Sequence, residues 1–291
     1  MLLSTSIGHY IKQGYSPKEC IDILADSGFD AADFMFTPEF CGENTDGEEF
    51  KSSFLELRRY AEENGLVFNQ AHAHYPSSSA DPATNELYYN YVVRSIRNAS
   101  YLGVPVIVVH PKQHLLYNEE GNPEKLFEMN MEFYRSLIPY AEKYNIEIAV
   151  ENMWICYPNR KIWHSTCSKP DEFINYIDTL NSEWIVACLD IGHAVLVCEE
   201  PDIFIEKLGH RLAALHVHDV DGFGDTHTIP FFGVVQWDKV IKALSKIGYK
   251  GDFTFETDTF IGNPPKEVVP FASKMLAETG RYLINKVKSV D

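Results

Sequence analysis

The chain has 291 residues, enough to bury a large core and too few to force a split, so a single domain over residues 1–291 is expected. Its 45% hydrophobic and 23% charged residues exclude a disordered, collagen-like or coiled-coil chain. Forty-two acidic against 25 basic side chains give a net charge of −17, which opposes a broad phosphate-binding face, so no nucleic-acid partner is expected.

In chain order, the spacing predicts a strand over Leu2–Ile7, then a helix opened by Ser16-Pro17 and closed at Gly28. A strand over Ala31–Phe36 and a helix over Glu48–Asn64 follow, then the strand Val67–His72 and a helix over Pro82–Leu102. The strand Val106–His110 leads to a helix over Pro123–Tyr144, the strand Ile146–Glu151 to one over Pro170–Leu180, and the strand Ile185–Asp190 to one over Asp202–Leu208. Ala213–Val217 precedes a helix over Trp237–Ile247, and Phe253–Glu256 precedes a final helix over Pro265–Val287. Strict alternation at about 36 residues per unit is the pattern of a parallel (β/α)8 TIM barrel. An open doubly wound sheet is the alternative, disfavoured because neither G-x-G-x-x-G nor a G-x-x-x-x-G-K-[ST] phosphate loop is present.

Neither the amino terminus nor any later stretch has the charged flank and long apolar run of a signal peptide or membrane span. The six cysteines form no C-x-x-C pair and are too sparse for a disulfide scaffold; reduced thiols in the cytoplasm are expected.

The carboxyl ends of the predicted strands carry the chemistry, because in such barrels that rim holds the active site. They read His72-Ala73-His74, His110-Pro111, Glu151-Asn152, Asp190-Ile191-Gly192-His193, His216-Val217-His218-Asp219 and Glu256-Thr257, with Asp225-Thr226-His227 in the loop after the seventh strand. Each carboxylate closes an apolar run, and a ring of buried carboxylates requires a shared cation or a dense hydrogen-bond network. Glu151, Asp190, His216 and Glu256, from four strands of one rim, supply the mixed oxygen and nitrogen ligands of a divalent metal; Mn²⁺, Co²⁺, Zn²⁺ and Mg²⁺ all remain open. His193 is expected as a ligand or substrate contact, and His72, His110, Asp225, His227 and, less strongly, His74 and His218 as pocket residues. Trp154, Phe34, Phe36, Phe231 and Phe232 follow strand ends as walls for a small polyol or as core, and Trp184 is expected at the opposite rim. Lys112, Arg160 and Lys161 lie on rim loops as clamps for a substrate phosphate or carboxylate, or as solvated surface.

Taken in this order and at these intervals, with Pro230, Gly233 and Gln236-Trp237 following Asp225-x-His227, the motifs resemble the xylose isomerase-like TIM barrel superfamily over nearly the whole chain. That superfamily contains sugar and sugar-phosphate isomerases and epimerases and the endonuclease IV type of abasic-site repair enzyme. The resemblance to its ketose 3-epimerase branch implies a metal held by Glu151, Asp190, His216 and Glu256, with the two glutamates also acting as acid and base. The resemblance to the repair branch implies three zinc ions on a larger set: His72, His110, Glu151, Asp190, His193, His216, Asp225, His227 and Glu256. The acidic charge and a third-strand motif reading His-Ala-His-Tyr, where the repair enzymes have His-Ala-Pro-Tyr, favour the carbohydrate branch.

The function expected is therefore metal-dependent isomerisation or epimerisation of a sugar, sugar phosphate or polyol, through proton abstraction beside a carbonyl and a metal-stabilised enediolate. Glu151 and Glu256 are the expected acid and base; His193, His72, His110, Asp225, His227, His218, Trp154 and Lys112 are the expected substrate contacts. A second metal near Asp225 and His227 and a homo-oligomeric state are left open. The alternative is a zinc-dependent phosphodiesterase acting on abasic DNA.

Overall fold

The computed structural model describes residues 1–157 and 161–290. Its strands are β1 (Leu3–Ser6), β2 (Ala31–Met35), β3 (Val67–His72), β4 (Val106–Val108), β5 (Glu147–Glu151), β6 (Trp154–Cys156), β7 (Ile162–His164), β8 (Ile185–Asp190), β9 (Leu212–Val217) and β10 (Phe253–Phe255). All but β6 and β7 close into one barrel in the order β1, β2, β3, β4, β5, β8, β9, β10 and back to β1. Every pairing around the ring is parallel. Each of the eight predicted strands is present, within one or two residues of its expected ends.

The barrel helices are α2 (Pro17–Ser27), α4 (Glu48–Glu63), α5 (Pro82–Leu102), α6 (Asn122–Tyr144), α7 (Pro170–Leu180), α9 (Pro201–Leu208), α10 (Trp237–Lys246) and α12 (Val269–Ser289). Their boundaries follow local chemistry. Ser16 accepts from the Glu19 N–H while the Glu19 carboxylate accepts from the Ser16 N–H, a reciprocal cap that starts α2; Gly28 ends it at φ 93°, where a side chain would be strained. The predicted last helix divides, its first residues Lys266–Val268 forming a tight 3-10 turn before α12.

Four short helices on the carboxyl rim were absent from the predicted pattern: α1 (Gly8–Lys12), α3 (Pro38–Cys41), α8 (Ile191–Leu196) and α11 (Asp258–Gly262). So was the antiparallel hairpin of β6 and β7, which rises from the end of β5. Among the described residues no helix is long and apolar enough to cross a membrane. All six cysteines are free thiols.

Two apolar layers hold the molecule. The larger lies between strands and helices; the smaller plugs the barrel with Val108, Ala149, Cys188 and Ala214. Strand side chains alternate, so the residue two positions beyond each plug residue points along the same inner face. Those residues are His110, Glu151, Asp190 and His216. The plug is thus the floor of the site.

The strand β3 departs from strict alternation at Asn69, an extra residue opposite the Ala32–Asp33 step of β2. Asn69 reaches Ser4 and Thr254 at the lower end of the barrel, while His72, three residues on, also faces inward at the upper end. A regular strand would turn one of the two outward.

Candidate active site

The carboxyl rim opens into a cleft of about 580 Å³, within the size range of small-molecule sites. On its floor, one donor atom each from Glu151, Asp190, His216 and Glu256 lies within 4.8 Å of the other three. The His216 Nδ1 is 3.1 Å from Glu151 Oε1, 3.2 Å from Glu256 Oε2 and 3.7 Å from Asp190 Oδ2. All four residues are buried.

Three carboxylates and an imidazole nitrogen converging out of water form an anionic pocket that fits a divalent cation, which would offset their mutual repulsion. Within the protein, the neighbouring imidazoles and carboxylates shift one another. Burial works against a charge on His216, yet Cys188, Glu151 and Glu256 around it raise it well above the usual range. Burial also works against the Glu151 anion, but His216 and His110 hold its carboxyl well below the ordinary range. Asp190 is likewise depressed against its burial, by His193 and His218.

The two glutamates are arranged alike. Glu151 turns one oxygen to His216 and the other to His110 Nε2 at 2.9 Å; Glu256 turns one to His216 and the other to His72 Nε2 at 3.6 Å. His72 is backed by the buried Asp33, whose Oδ2 lies 2.7 Å from its Nδ1. Asn152 ties two strand ends together, donating to the Asp190 carbonyl at 2.9 Å and accepting from the Asp190 N–H at 2.7 Å. Asp190 itself caps α8, its Oδ1 accepting from the His193 N–H at 2.6 Å.

A second cluster stands beside the first. Asp225 Oδ2 gathers His227 Nε2 at 2.9 Å, Trp154 Nε1 at 3.2 Å and His193 Nε2 at 3.3 Å, while its Oδ1 is buried without a hydrogen bond. With His218, whose ring stacks on His227 at 4.0 Å, these residues also offer ligand atoms within 4.8 Å of one another. Burial opposes a charge on His227, but its hydrogen bond to the Asp225 carboxylate and the charges of Glu256 and Asp225 push it up to about 10.

The order of these motifs is decisive: the family model for the xylose isomerase-like TIM barrel matches residues 21–279. The chain belongs to the xylose isomerase-like TIM barrel family.

Two uncharacterised relatives of this xylose isomerase-like barrel match only part of its length. One from Sinorhizobium fredii is 27% identical over 160 residues, 55% of this chain and 49% of that one; one from Methanocaldococcus jannaschii is 30% identical over 192 residues, 63% and 62%. The chain thus spans about half to three fifths of these relatives. A D-psicose 3-epimerase of Enterocloster bolteae is 23% identical over 252 residues, 82% of this chain and 76% of that protein. Two solved structures share the fold almost end to end. A D-tagatose 3-epimerase-like protein has 22% identity and a TM-score of 0.74, covering 99% of this chain and 100% of its own. An IolI protein with a zinc atom bound has 16% identity and a TM-score of 0.76, covering 99% and 98%.

Of the residues singled out in the sequence, His72, His74, His110, Glu151, Trp154, His193, Asp225, His227 and Glu256 line the cleft of this xylose isomerase-like barrel, and Phe36 joins them. Others stand elsewhere. Lys112 turns away, its ammonium 5.1 Å over the Phe133 ring, because Asn130 of α6 binds its backbone from both sides. His218 lies behind the wall, its Nε2 2.9 Å from both oxygens of Asp190. Phe34 packs among Phe36, Phe40 and Phe54, and Phe231 leans outward on Trp237 and Tyr282. Phe232 is exposed outside the cleft. Trp184 lines a separate cavity with Pro105 and Glu147, at the amino ends of the strands as expected. Arg160 lies outside the described residues, and Lys161 is exposed at the hairpin.

Sequence reasoning missed Lys12, Tyr75, Gln113 and Asp258, all of which line the cleft. Asp258 carried a signal, standing two residues beyond Glu256. Lys12, on a short helix read as loop, carried none.

Proposed function

We propose that the chain is a divalent-metal-dependent epimerase or isomerase of a small, uncharged sugar or polyol, working in the cytoplasm on a carbon beside a carbonyl. The observation that carries this reading is the pair Glu151 and Glu256, two buried carboxylates, one ending β5 and one just beyond β10, that share one cluster at the floor of the cleft. The epimerase names borne by relatives and structural neighbours support it.

In this scheme one glutamate takes the proton from carbon, and the C–H electron pair moves into the carbon framework and onto the carbonyl oxygen. The other glutamate, protonated beforehand, returns a proton to the opposite face, which inverts the centre. A divalent cation held by Glu151, Asp190, His216 and Glu256 would supply the positive charge that stabilises the developing oxyanion. His110 stands 2.9 Å from the far oxygen of Glu151 and opposes its rotation, while His72, 3.6 Å from the far oxygen of Glu256, packs beside that carboxylate. His193, oriented by the Asn152 carbonyl at 2.9 Å, presents its other nitrogen toward Asp225 and the cleft, where it orients a substrate hydroxyl. Trp154, Phe36 and Tyr75 wall the cleft and exclude water. Among the described residues Lys12 is the one lysine or arginine lining it, which favours an uncharged substrate over a phosphate ester.

Glu151→Gln and Glu256→Gln are each expected to lower turnover by about 10³-fold while the barrel still folds. The assay incubates metal-loaded protein with ketoses, aldoses and inosose-type polyols in D₂O and follows C–H exchange. Full exchange in either variant would sink the two-glutamate scheme.

The cluster of His193, His218, Asp225 and His227 keeps a second reading alive, a zinc phosphodiesterase acting on abasic DNA. Metal analysis separates the two: about one equivalent favours the sugar enzyme and about three the nuclease. Incision of an abasic duplex would decide for the latter.

A further inference from the structure

A group of exposed apolar side chains lies on the outside of the barrel. The loop between β9 and α10 carries Phe223, Phe231 and Phe232, and Phe231 meets Tyr282 of α12 at 5.9 Å between ring centres. Along α12, Phe271, Met275, Glu278 and Tyr282 recur at the spacing of a single helical stripe, and all four are exposed. The five aromatic residues are 89, 52, 66, 75 and 51% exposed in the order Phe223, Phe231, Phe232, Phe271, Tyr282. At ~200 Å² per ring they present roughly 670 Å², close to the ~800 Å² that each side of a standard interface buries.

We propose that this face is the contact between two copies of the chain, with the α12 helices packed antiparallel across a two-fold axis that passes between Leu276 and Ala277. Charge selects both partner and direction. Glu267, Lys274, Glu278 and Lys286 along the stripe sum to zero, on a chain whose net charge of −17 repels a second copy elsewhere. Antiparallel pairing brings Phe271 of one copy to Tyr282 of the other, Lys274 to Glu278, and Glu267 to Lys286. A parallel pair would set Lys274 against Lys274 and Glu278 against Glu278. A two-fold contact is self-complementary by necessity, and only the antiparallel register meets that condition here. The same β9–α10 loop carries Asp225 and His227 on its inner side, so pairing also backs the wall of the cleft.

Analytical ultracentrifugation of the full chain at micromolar concentration is expected to give twice the mass of 33.2 kDa. Phe271→Glu is expected to weaken pairing at least about tenfold. Lys274→Glu alone and Glu278→Lys alone should each weaken it, because each sets like charges together. A one-to-one mixture of those two variants should recover the dimer, since every 274–278 contact across the mixed pair is then of opposite sign. Thermal unfolding followed by circular dichroism checks that each variant is folded. A wild-type chain that stays single, a dimer indifferent to Phe271→Glu, or a mixture no better than its components overturns the proposal.

Discussion

Gly192 shows how closely the centre is packed. A methyl group placed there would come within 2.1 Å of the His218 ring, which is pinned by Asp190 on one side and by stacking on His227 on the other. Moving His218 away from the added methyl group would strain its contacts with Asp190 and His227. Gly192→Ala is therefore expected to cost about 1–3 kcal/mol in urea unfolding and to weaken metal affinity, because the displaced ring no longer steadies a ligand carboxylate. Unchanged stability with unchanged affinity would show that the ring has another place to go. The residue scale is also where the convergence of four side chains was readable from the sequence and the direction of others was not. Glu151, Asp190, His216 and Glu256 were legible because each ends an apolar run, where a charge has no cheap explanation. Lys112 was misjudged because nearness in sequence to His110 does not set side-chain direction; Asn130, on a helix eighteen residues away, sets it. Asp33 was passed over as strand interior, although a carboxylate within Ala-Ala-Asp-Phe-Met carries the same signal as the strand-end acids.

At the scale of elements, the eight strands were readable from alternation and turn chemistry, whereas the β6–β7 hairpin was not. Its two strands have three residues each, with no primed-turn dipeptide between them. What fixes it lies in distant contacts. The Met153 N–H donates to the Thr166 carbonyl at 3.0 Å, the Thr166 hydroxyl to the Lys112 carbonyl at 3.2 Å, and the Tyr117 hydroxyl to Glu172 Oε2 at 3.0 Å. Glu172, in the first turn of α7, makes this anchor sensitive to pH. Burial raises its carboxyl to about 7, against the lowering effect of the Tyr117 hydroxyl and of the backbone at Cys167 and Lys169. An acid raised in the folded state stays protonated there while the unfolded chain ionises. Stability from this group is therefore full below the ordinary carboxylate value near 4.5 and is lost as pH rises toward 7. After discounting for partial exposure the loss is about 2 kcal/mol. Glu172→Gln keeps an acceptor for Tyr117 and removes the titration. The difference in unfolding free energy between wild type and variant should grow between pH 5 and pH 7; two parallel curves would mean that the anchor does not titrate in that range.

For the molecule as a whole, the site and the stability of the barrel are coupled through charge. Glu151, Asp190 and Glu256 come from three strands of one closed sheet, so their repulsion acts on the barrel's closure as well as on the cleft. A cation that binds only the folded chain adds stability in proportion to its occupancy, about 2.7 kcal/mol at a hundredfold excess over its Kd. For a chain of this size that corresponds to roughly 5–10 °C in Tm. Chelated protein is expected to melt lower by that amount and to recover when Mn²⁺, Co²⁺, Zn²⁺ or Mg²⁺ is restored, the best-fitting ion giving the largest shift. Asp190→Asn separates this coupling from general salt effects. It retains the shape of the residue and an oxygen to cap α8, but removes one of the three charges. The apo variant gives up the contacts by which His193 and His218 hold the Asp190 anion, so it should melt below the apo wild type, and its response to added metal should shrink. Scanning calorimetry of both proteins, with and without chelator, measures the two quantities together. Equal melting temperatures for apo and metal-loaded wild type would mean that the four side chains hold no cation, and the proton-transfer scheme would lose its source of oxyanion stabilisation.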